Sequence, residues 1–174
     1  MNNELTDKKK ILDFLFSEEE QAKEQRIYFR DLFRDARAKA LNNAENFEDL
    51  IFALEKLGKF LYCETKEIVG LSKFGTVISN LADYSVLAKK IPNDYPKIHS
   101  EFSTLYNLVT TARNSAMHEG AFARHLTQHA IEVSIILEDA LMSQEKQVKD
   151  FMVRNPICAY LWQPISFIRQ NMLA

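Results

Sequence analysis

Apolar residues recur at alternating steps of four and three over long stretches of this sequence, and this spacing limits what the chain can fold into. The clearest series has five members: Leu126, Ala130, Val133, Leu137 and Ala140. Such a step is typical of helices that pack at a shallow angle, as they do in antiparallel bundles. Only 4 Gly and 4 Pro occur among the 174 residues, so few positions interrupt such helices. The sequence therefore predicts an all-α protein.

Five segments carry the helical pattern. They run from about Ser17 to Leu41, from Phe47 to Leu61, from Phe74 to Ala88, from Ile98 to Ala116 and from Leu126 to Leu141. We expect the polar residues 1–10 to be frayed. The third helix should end before Ile91-Pro92, because a residue that precedes proline disfavours helical dihedral angles. The predicted architecture is an antiparallel bundle of about five helices over residues 1–146, followed by a short irregular β/α tail over residues 147–174.

The fifth helix is apolar on more than one side. Four further residues widen its apolar surface beyond a single seam: Ile131, Ile135, Ile136 and Leu141. A helix with so broad an apolar surface is buried, because a surface helix is apolar on one stripe only. We expect it to lie either at the centre of the bundle or against a second chain.

Charge and cysteine usage narrow the class of protein. The net charge of −2 and the pI near 6.1 give no overall sign of nucleic-acid binding, so a basic footprint would have to be local. Cys63 and Cys158 are far apart among apolar residues and are expected to be buried thiols. No stretch approaches the roughly 18 apolar residues that span a membrane. These features favour a cytoplasmic protein without a membrane partner.

Arg113, Asn114 and His118 stand where the fourth helical pattern gives way to the fifth. Histidine exchanges protons near neutral pH, and arginine can hold a phosphate and stabilise the charge that develops on it. On a regular helix, positions five residues apart are separated by about 140°. Arg113 and His118 can therefore share one substrate atom only if the helix ends or bends near Gly120, or if a second subunit contributes its own copies. The alternative is that both side chains cap the last carbonyls of the fourth helix.

The sequence R-N-x-x-x-H of residues 113–118, followed by a strongly apolar helix, resembles the signature of the HEPN superfamily. The resemblance implies a HEPN-like bundle, a homodimer with the motif in its cleft, and metal-independent cleavage of RNA without a cofactor. The products would carry 2′,3′-cyclic phosphate and 5′-OH ends, and a toxin or defence role would be usual. Members that a nucleotidyltransferase modifies have a tyrosine two residues after the histidine; Gly120 occupies that position here, so this regulation is not implied.

Two further groups could contribute to an RNA site. A basic stripe on the first long helix is suited to an RNA backbone and comprises Arg26, Arg30, Arg34 and Arg37. The alternative is a solvated helix face whose charge Asp31 and Asp35 balance. His125, one heptad after His118, is expected to line the same cleft. His125, His129 and Glu132 have a spacing that suits a metal, but no second histidine pair accompanies them, and no metal site is predicted.

The tail contains a turn at Asn155-Pro156, a short β-like run, a break at Gln163-Pro164 and the start of a helix. This order resembles the opening of a CBS motif, a module that comes in pairs and commonly binds adenine nucleotides. A complete pair needs on the order of 120 residues. We therefore expect either a longer protein or a tail that docks on the bundle or its dimer mate. The alternative to a nuclease is a non-catalytic HEPN-like dimerisation or nucleotide/RNA-binding module that a ligand-sensing CBS domain regulates.

Overall fold

A computed structural model describes most of the first 145 residues. The described residues are 2–43, 46–62, 71–94, 96, 100–119 and 123–145, and for 2–7, 115–119 and 123–125 the helical backbone alone is described. The chain divides into two units, Met1–Gln144 and Glu145–Ala174. The predicted tail of residues 147–174, with its resemblance to a CBS motif, lies outside the described residues.

The described part of the chain is all-helical, which confirms the predicted fold class. In chain order the elements are α1 (Asn2–Phe16), α2 (Glu20–Asn42), α3 (Phe47–Tyr62), a 3-10 helix (Leu71–Phe74), α4 (Gly75–Ala82), α5 (Val86–Asp94), α6 (Phe102–Glu119) and α7 (Ala123–Leu141). None of these helices combines the length and the apolarity that crossing a membrane requires.

Helix α7 lies at the centre of the bundle and contacts α2, α3, α4, α5 and α6. The five residues of its four-three series are fully buried, as predicted. Ile136 and Leu141 are buried as well, whereas Ile135 is exposed. The central placement predicted for this helix is therefore confirmed. Burial of apolar side chains on several sides of one helix provides much of the stability of such a bundle.

The N-terminal segment corrects one expectation. Residues 2–16 form α1, so the prediction that residues 1–10 are frayed was wrong for residues 2–10. Tertiary interactions hold this helix. Ile11 and Leu15 are buried in the core, and the Lys10 ammonium donates hydrogen bonds to the carbonyls of Phe60 and Leu61, at 3.3 and 3.1 Å, where α3 ends. A cation is favourable at this end of a helix because the last carbonyls lack partners.

The third predicted helix is in fact two helices. The chain leaves α4 after Ala82 and enters α5 at Val86, and α5 continues through Pro92, so the predicted end before Ile91-Pro92 was wrong. Ser85 begins the new helix, because its hydroxyl oxygen accepts a hydrogen bond from the Ala88 amide at 3.2 Å. Asp139 of α7 accepts hydrogen bonds from the Ser85 hydroxyl at 2.7 Å and the Val86 amide at 2.9 Å. With this division and the added α1, the described part of the chain has seven α-helices where about five were predicted.

Candidate functional site

Arg113 lies in the second half of α6, and α3 supplies the group that holds it. Its Nη2 donates to Oε1 of Glu55 at 3.1 Å, and its Nη1 donates to Oδ1 of Asn114 at 3.3 Å. The Arg113 side chain remains 30% exposed. The other N–H groups of the guanidinium have no hydrogen-bond partner within the described part of the chain. The guanidinium is therefore oriented by two oxygens and still offers donors to a ligand.

Glu55 is not among the site residues predicted from the sequence. It precedes Arg113 by 58 residues, so no local spacing connects the two. Glu55 also acts on Tyr106, which stands one heptad before Arg113 on α6. Burial of the Tyr106 hydroxyl raises its pKa far above the ordinary value, and the negative charge of Glu55 adds to this effect. The Tyr106 hydroxyl donates to the carbonyl of Leu71 at 2.8 Å, which ties α6 to the 3-10 helix.

Position 118 lies in the same uninterrupted helix as Arg113. Helix α6 runs from Phe102 to Glu119, so it ends near Gly120, as expected, but only after His118. The positions of Arg113 and His118 are consequently about 140° apart around one regular helix axis. The end of the helix comes after both positions and therefore does not bring them together. The His118 side chain and Gly120 lie outside the described residues.

Arg26, predicted to contact RNA, has a different position. Its side chain is only 3% exposed, and its Nη1 donates to the carbonyls of Phe14 at 2.8 Å and Ser17 at 3.1 Å. These carbonyls end α1, where a cation is favourable. A guanidinium enclosed in this way cannot lie along an RNA backbone, and we do not include Arg26 in the candidate site.

The other arginines of the stripe form ion pairs. Arg30 Nε donates to Oδ1 of Asp31 at 2.8 Å, and this hydrogen bond lowers the pKa of the Asp31 carboxyl. Arg34 and Arg37 both bind Glu138 of α7, at 2.6 and 2.9 Å. The carboxylates that balance the charge of these arginines are therefore Asp31, as predicted, and Glu138, which the sequence did not indicate. None of the described contacts joins these arginines to Arg113.

The histidines of α7 do not form a described metal site. His125 lies in the first turn of α7, and its side chain is outside the described residues. His129 is partly buried, with no hydrogen-bond partner for its Nδ1 among the described residues, and Glu132 accepts a hydrogen bond from Gln128 at 3.2 Å. Within the described ranges, no group of three or more His, Cys, Asp or Glu side chains is arranged to hold a metal ion.

Comparison of the chain with known protein families, with characterised proteins and with solved structures found no match. The features of the described chain that bear on function are helix α6, the motif residues that it carries and the contacts of Arg113.

Proposed function

We propose that the protein is a homodimeric, metal-independent endoribonuclease of the HEPN type, in which Arg113, Asn114 and His118 form the catalytic set. The observation that carries the proposal is the setting of Arg113. The guanidinium donates a hydrogen bond to Glu55 of α3 and is partly open to solvent. Arg113 lies on α6, the same helix as Asn114 and His118. A toxin or defence role would follow from unrestricted cleavage of RNA.

The chemistry assigns each residue one task. The imidazole of His118 accepts the proton of the attacking 2′-OH or returns one to the departing 5′-oxygen. The Arg113 guanidinium binds the scissile phosphate with N–H groups that Glu55 and Asn114 leave unused, and it stabilises the charge that develops there. Asn114 orients that guanidinium through its side-chain oxygen. No metal is needed, because a histidine and an arginine supply both proton transfer and charge stabilisation.

The separation of Arg113 and His118 around α6 supports a site made by two chains. A side chain at one position and a side chain about 140° away cannot meet on a single phosphate from one straight helix. A two-fold axis beside α6 would pair identical patches, so Arg113 of one chain would lie opposite His118 of the other.

The Glu55–Arg113 ion pair favours a second candidate function. A carboxylate in contact with a guanidinium offsets part of the charge that would attract a phosphate. In that case the α6 motif would be a non-catalytic dimerisation surface or would bind RNA or a nucleotide without cutting it. A ligand-sensing domain of the CBS type would then be the regulatory partner.

Incubation of the purified protein with total RNA in EDTA separates the two candidates. Wild type should cleave and leave 2′,3′-cyclic phosphate ends. His118→Ala and Arg113→Ala should each be slower by roughly 100-fold or more, the usual cost of losing a general acid–base or a charge-stabilising group. Lys39→Ala, the same substitution at an exposed cation that pairs with Asp49 at 2.8 Å, should match wild type.

Two results would contradict the nuclease. Equal cleavage by wild type and His118→Ala would show that another activity cuts the RNA. If the folded wild type binds the RNA but does not cleave it, the result would favour the non-catalytic binding module.

A further inference from the structure

An aromatic cluster with a cation lies on the outer surface of α2 and α3. We define it by Tyr28 of α2 and by Phe52 and Lys56 of α3. The Lys56 ammonium stands 4.8 Å from the centre of the Tyr28 ring and 5.6 Å from the centre of the Phe52 ring, and it donates a hydrogen bond to the Tyr28 hydroxyl. Phe52 is 56% exposed and Tyr28 is 43% exposed. The two rings are thus held beside one charge while much of their surface faces solvent.

These two rings are not part of the buried core, unlike the neighbouring ring of Phe29. Phe29, next in sequence to Tyr28, is buried and contacts the ring of Phe60 at 5.2 Å between centroids. A single exposed apolar residue is common on protein surfaces and needs no explanation. Two exposed rings beside one cation, in contrast, form a surface suited to binding a ligand. Their positions are set by contacts already made in the free protein, so a ligand does not have to order them.

The cluster adjoins the site of Arg113 along α3. Phe52, Glu55, Lys56 and Lys59 fall on one stripe of this helix, because their spacings are three and four. Glu55, about 4.5 Å further along the helix axis than Phe52, is the residue that holds Arg113. Lys59 is exposed, and its ammonium has no partner in the described part of the chain. One stripe of α3 therefore carries the Phe52 ring, two ammonium groups and the carboxylate that holds the Arg113 guanidinium, with exposed Glu48 at its N-terminal end.

We propose that the aromatic cluster binds unpaired bases of single-stranded RNA and leads that strand to Arg113. The bases stack on Phe52 and Tyr28, and Lys56 and Lys59 face the phosphates. This inference rests on the proposed nuclease function and specifies its substrate class. Aromatic rings combined with cations are the usual means of binding single strands, since every base has a stacking face. A duplex keeps its bases stacked on each other and cannot present them to the rings.

Binding can be measured apart from cleavage with a fluorescent 12-nucleotide 2′-O-methyl oligouridine. This probe lacks the 2′-OH that attacks the phosphate, so it stays intact whether or not the protein is a nuclease. Phe52→Leu keeps an apolar side chain and removes the ring, and we expect a roughly 5- to 150-fold weaker Kd. Phe52→Trp should bind as tightly as wild type or more tightly. Leu41→Ala, which shortens a 69% exposed side chain elsewhere on α2, should leave the Kd unchanged.

The competing occupant of this surface is a second copy of the chain, and light scattering on the same variants tests it. If Phe52→Leu turns a dimer into a monomer, or binds the probe as wild type does, the RNA surface is refuted. The two proposals also fail separately. Phe52-dependent binding without cleavage of unmodified RNA would refute the nuclease and retain the cluster. Cleavage by wild type that Phe52→Leu leaves unchanged, with an unchanged Kd, would refute the cluster and retain the nuclease.

Discussion

The Glu55 carboxylate reaches Arg113 from a different helix, and under the proposed function it sets where the guanidinium meets the phosphate. Glu55→Gln keeps the shape of the side chain and removes its charge. We expect kcat for unmodified RNA to fall by roughly 10- to 100-fold, since a displacement of about 1 Å in a positioning contact can have that effect. The Kd for the 2′-O-methyl probe should stay equal or improve, because a negative charge next to the RNA is removed.

Single-turnover kinetics with saturating protein would measure the first quantity and fluorescence anisotropy the second. Glu48→Gln, an exposed residue near the start of the same helix, is the matched control. Glu55→Asp should restore part of the activity, because it restores the charge at a shorter reach. A weaker Kd with an unchanged kcat would contradict a positioning role.

Tyr106 makes a contribution to stability that depends on pH. Because burial raises the pKa of its hydroxyl in the folded protein, the folded state keeps this proton at pH values where the unfolded chain, with a pKa of about 10, has lost it. The contribution is fully present below about pH 10 and is lost as the pH rises towards the folded pKa. Tyr106→Phe should unfold with less dependence on pH above that value. At neutral pH it should be less stable by about 1 kcal/mol, because the hydrogen bond to Leu71 is lost.

Urea denaturation at a series of pH values, with Tyr28→Phe as the control for an exposed tyrosine, would measure both effects. The difference between Tyr106→Phe and wild type isolates the Tyr106 hydroxyl from the other groups that titrate in the same range. A difference in the free energy of unfolding that is constant with pH would contradict the proposed cause.

Gly58 lets α3 approach the 3-10 helix closely. A Cβ atom at this position would lie 2.5 Å from Cδ2 of Phe74 and 2.9 Å from its Cβ. Phe74 is buried, so its ring cannot swing into solvent. Gly58→Ala should therefore destabilise the protein by about 1–2 kcal/mol, because the overpacking exceeds the gain of about 1 kcal/mol in helix propensity.

Thermal and urea unfolding would measure the Gly58→Ala effect, with Lys59→Ala as an exposed control on the same helix. Adding Phe74→Leu makes room for the new methyl group. The double variant should consequently lose less stability than the sum of the two single variants. Additive losses would show that the methyl group and the ring do not compete for space.

Periodicity predicted the elements whose structure depends on their own sequence. The apolar series of α3 and α7 gave their buried faces, because a repeat near 3.6 residues places those side chains on one side. It did not give the division between α4 and α5, since the carboxylate that caps α5 is Asp139, more than fifty residues away. The polar first half of α1 was missed for a related reason: it extends a helix that is anchored by the buried residues Ile11, Phe14 and Leu15 and by the hydrogen bonds of Lys10 to the end of α3.

In the candidate site, too, local associations could be predicted from the sequence, whereas partners from other helices could not. Arg113 and Asn114 are neighbours in sequence, so their association could be predicted from the sequence. Glu55 holds Arg113, and Glu138 holds Arg34 and Arg37. Both carboxylates come from helices that only the fold brings near. The stripe of arginines also looked uniform in sequence, although Arg26 is buried against the end of α1 and Arg34 is at the surface. A residue's spacing predicts the side of the helix on which it lies; its partner depends on tertiary packing.

The proposed function requires that one chain alone is not a complete enzyme. Arg113 and His118 occupy one uninterrupted helix, about 140° apart, so each must act with the complementary residue of a second chain. This requirement differs from simple dimerisation. A dimer whose sites were each complete within one chain would have the same mass, so oligomeric state alone cannot distinguish the two arrangements.

Mixing two inactive variants distinguishes them. Arg113→Ala chains retain His118, and His118→Ala chains retain Arg113, so neither chain carries both residues. If the site forms between chains, a mixed dimer regains one of its two Arg–His pairs. After denaturation and joint refolding at equal concentrations, half of the dimers are mixed, and we expect activity of up to about a quarter of wild type. If each site lies within one chain, no dimer in the mixture has an intact site, and the activity should stay at that of the separate variants.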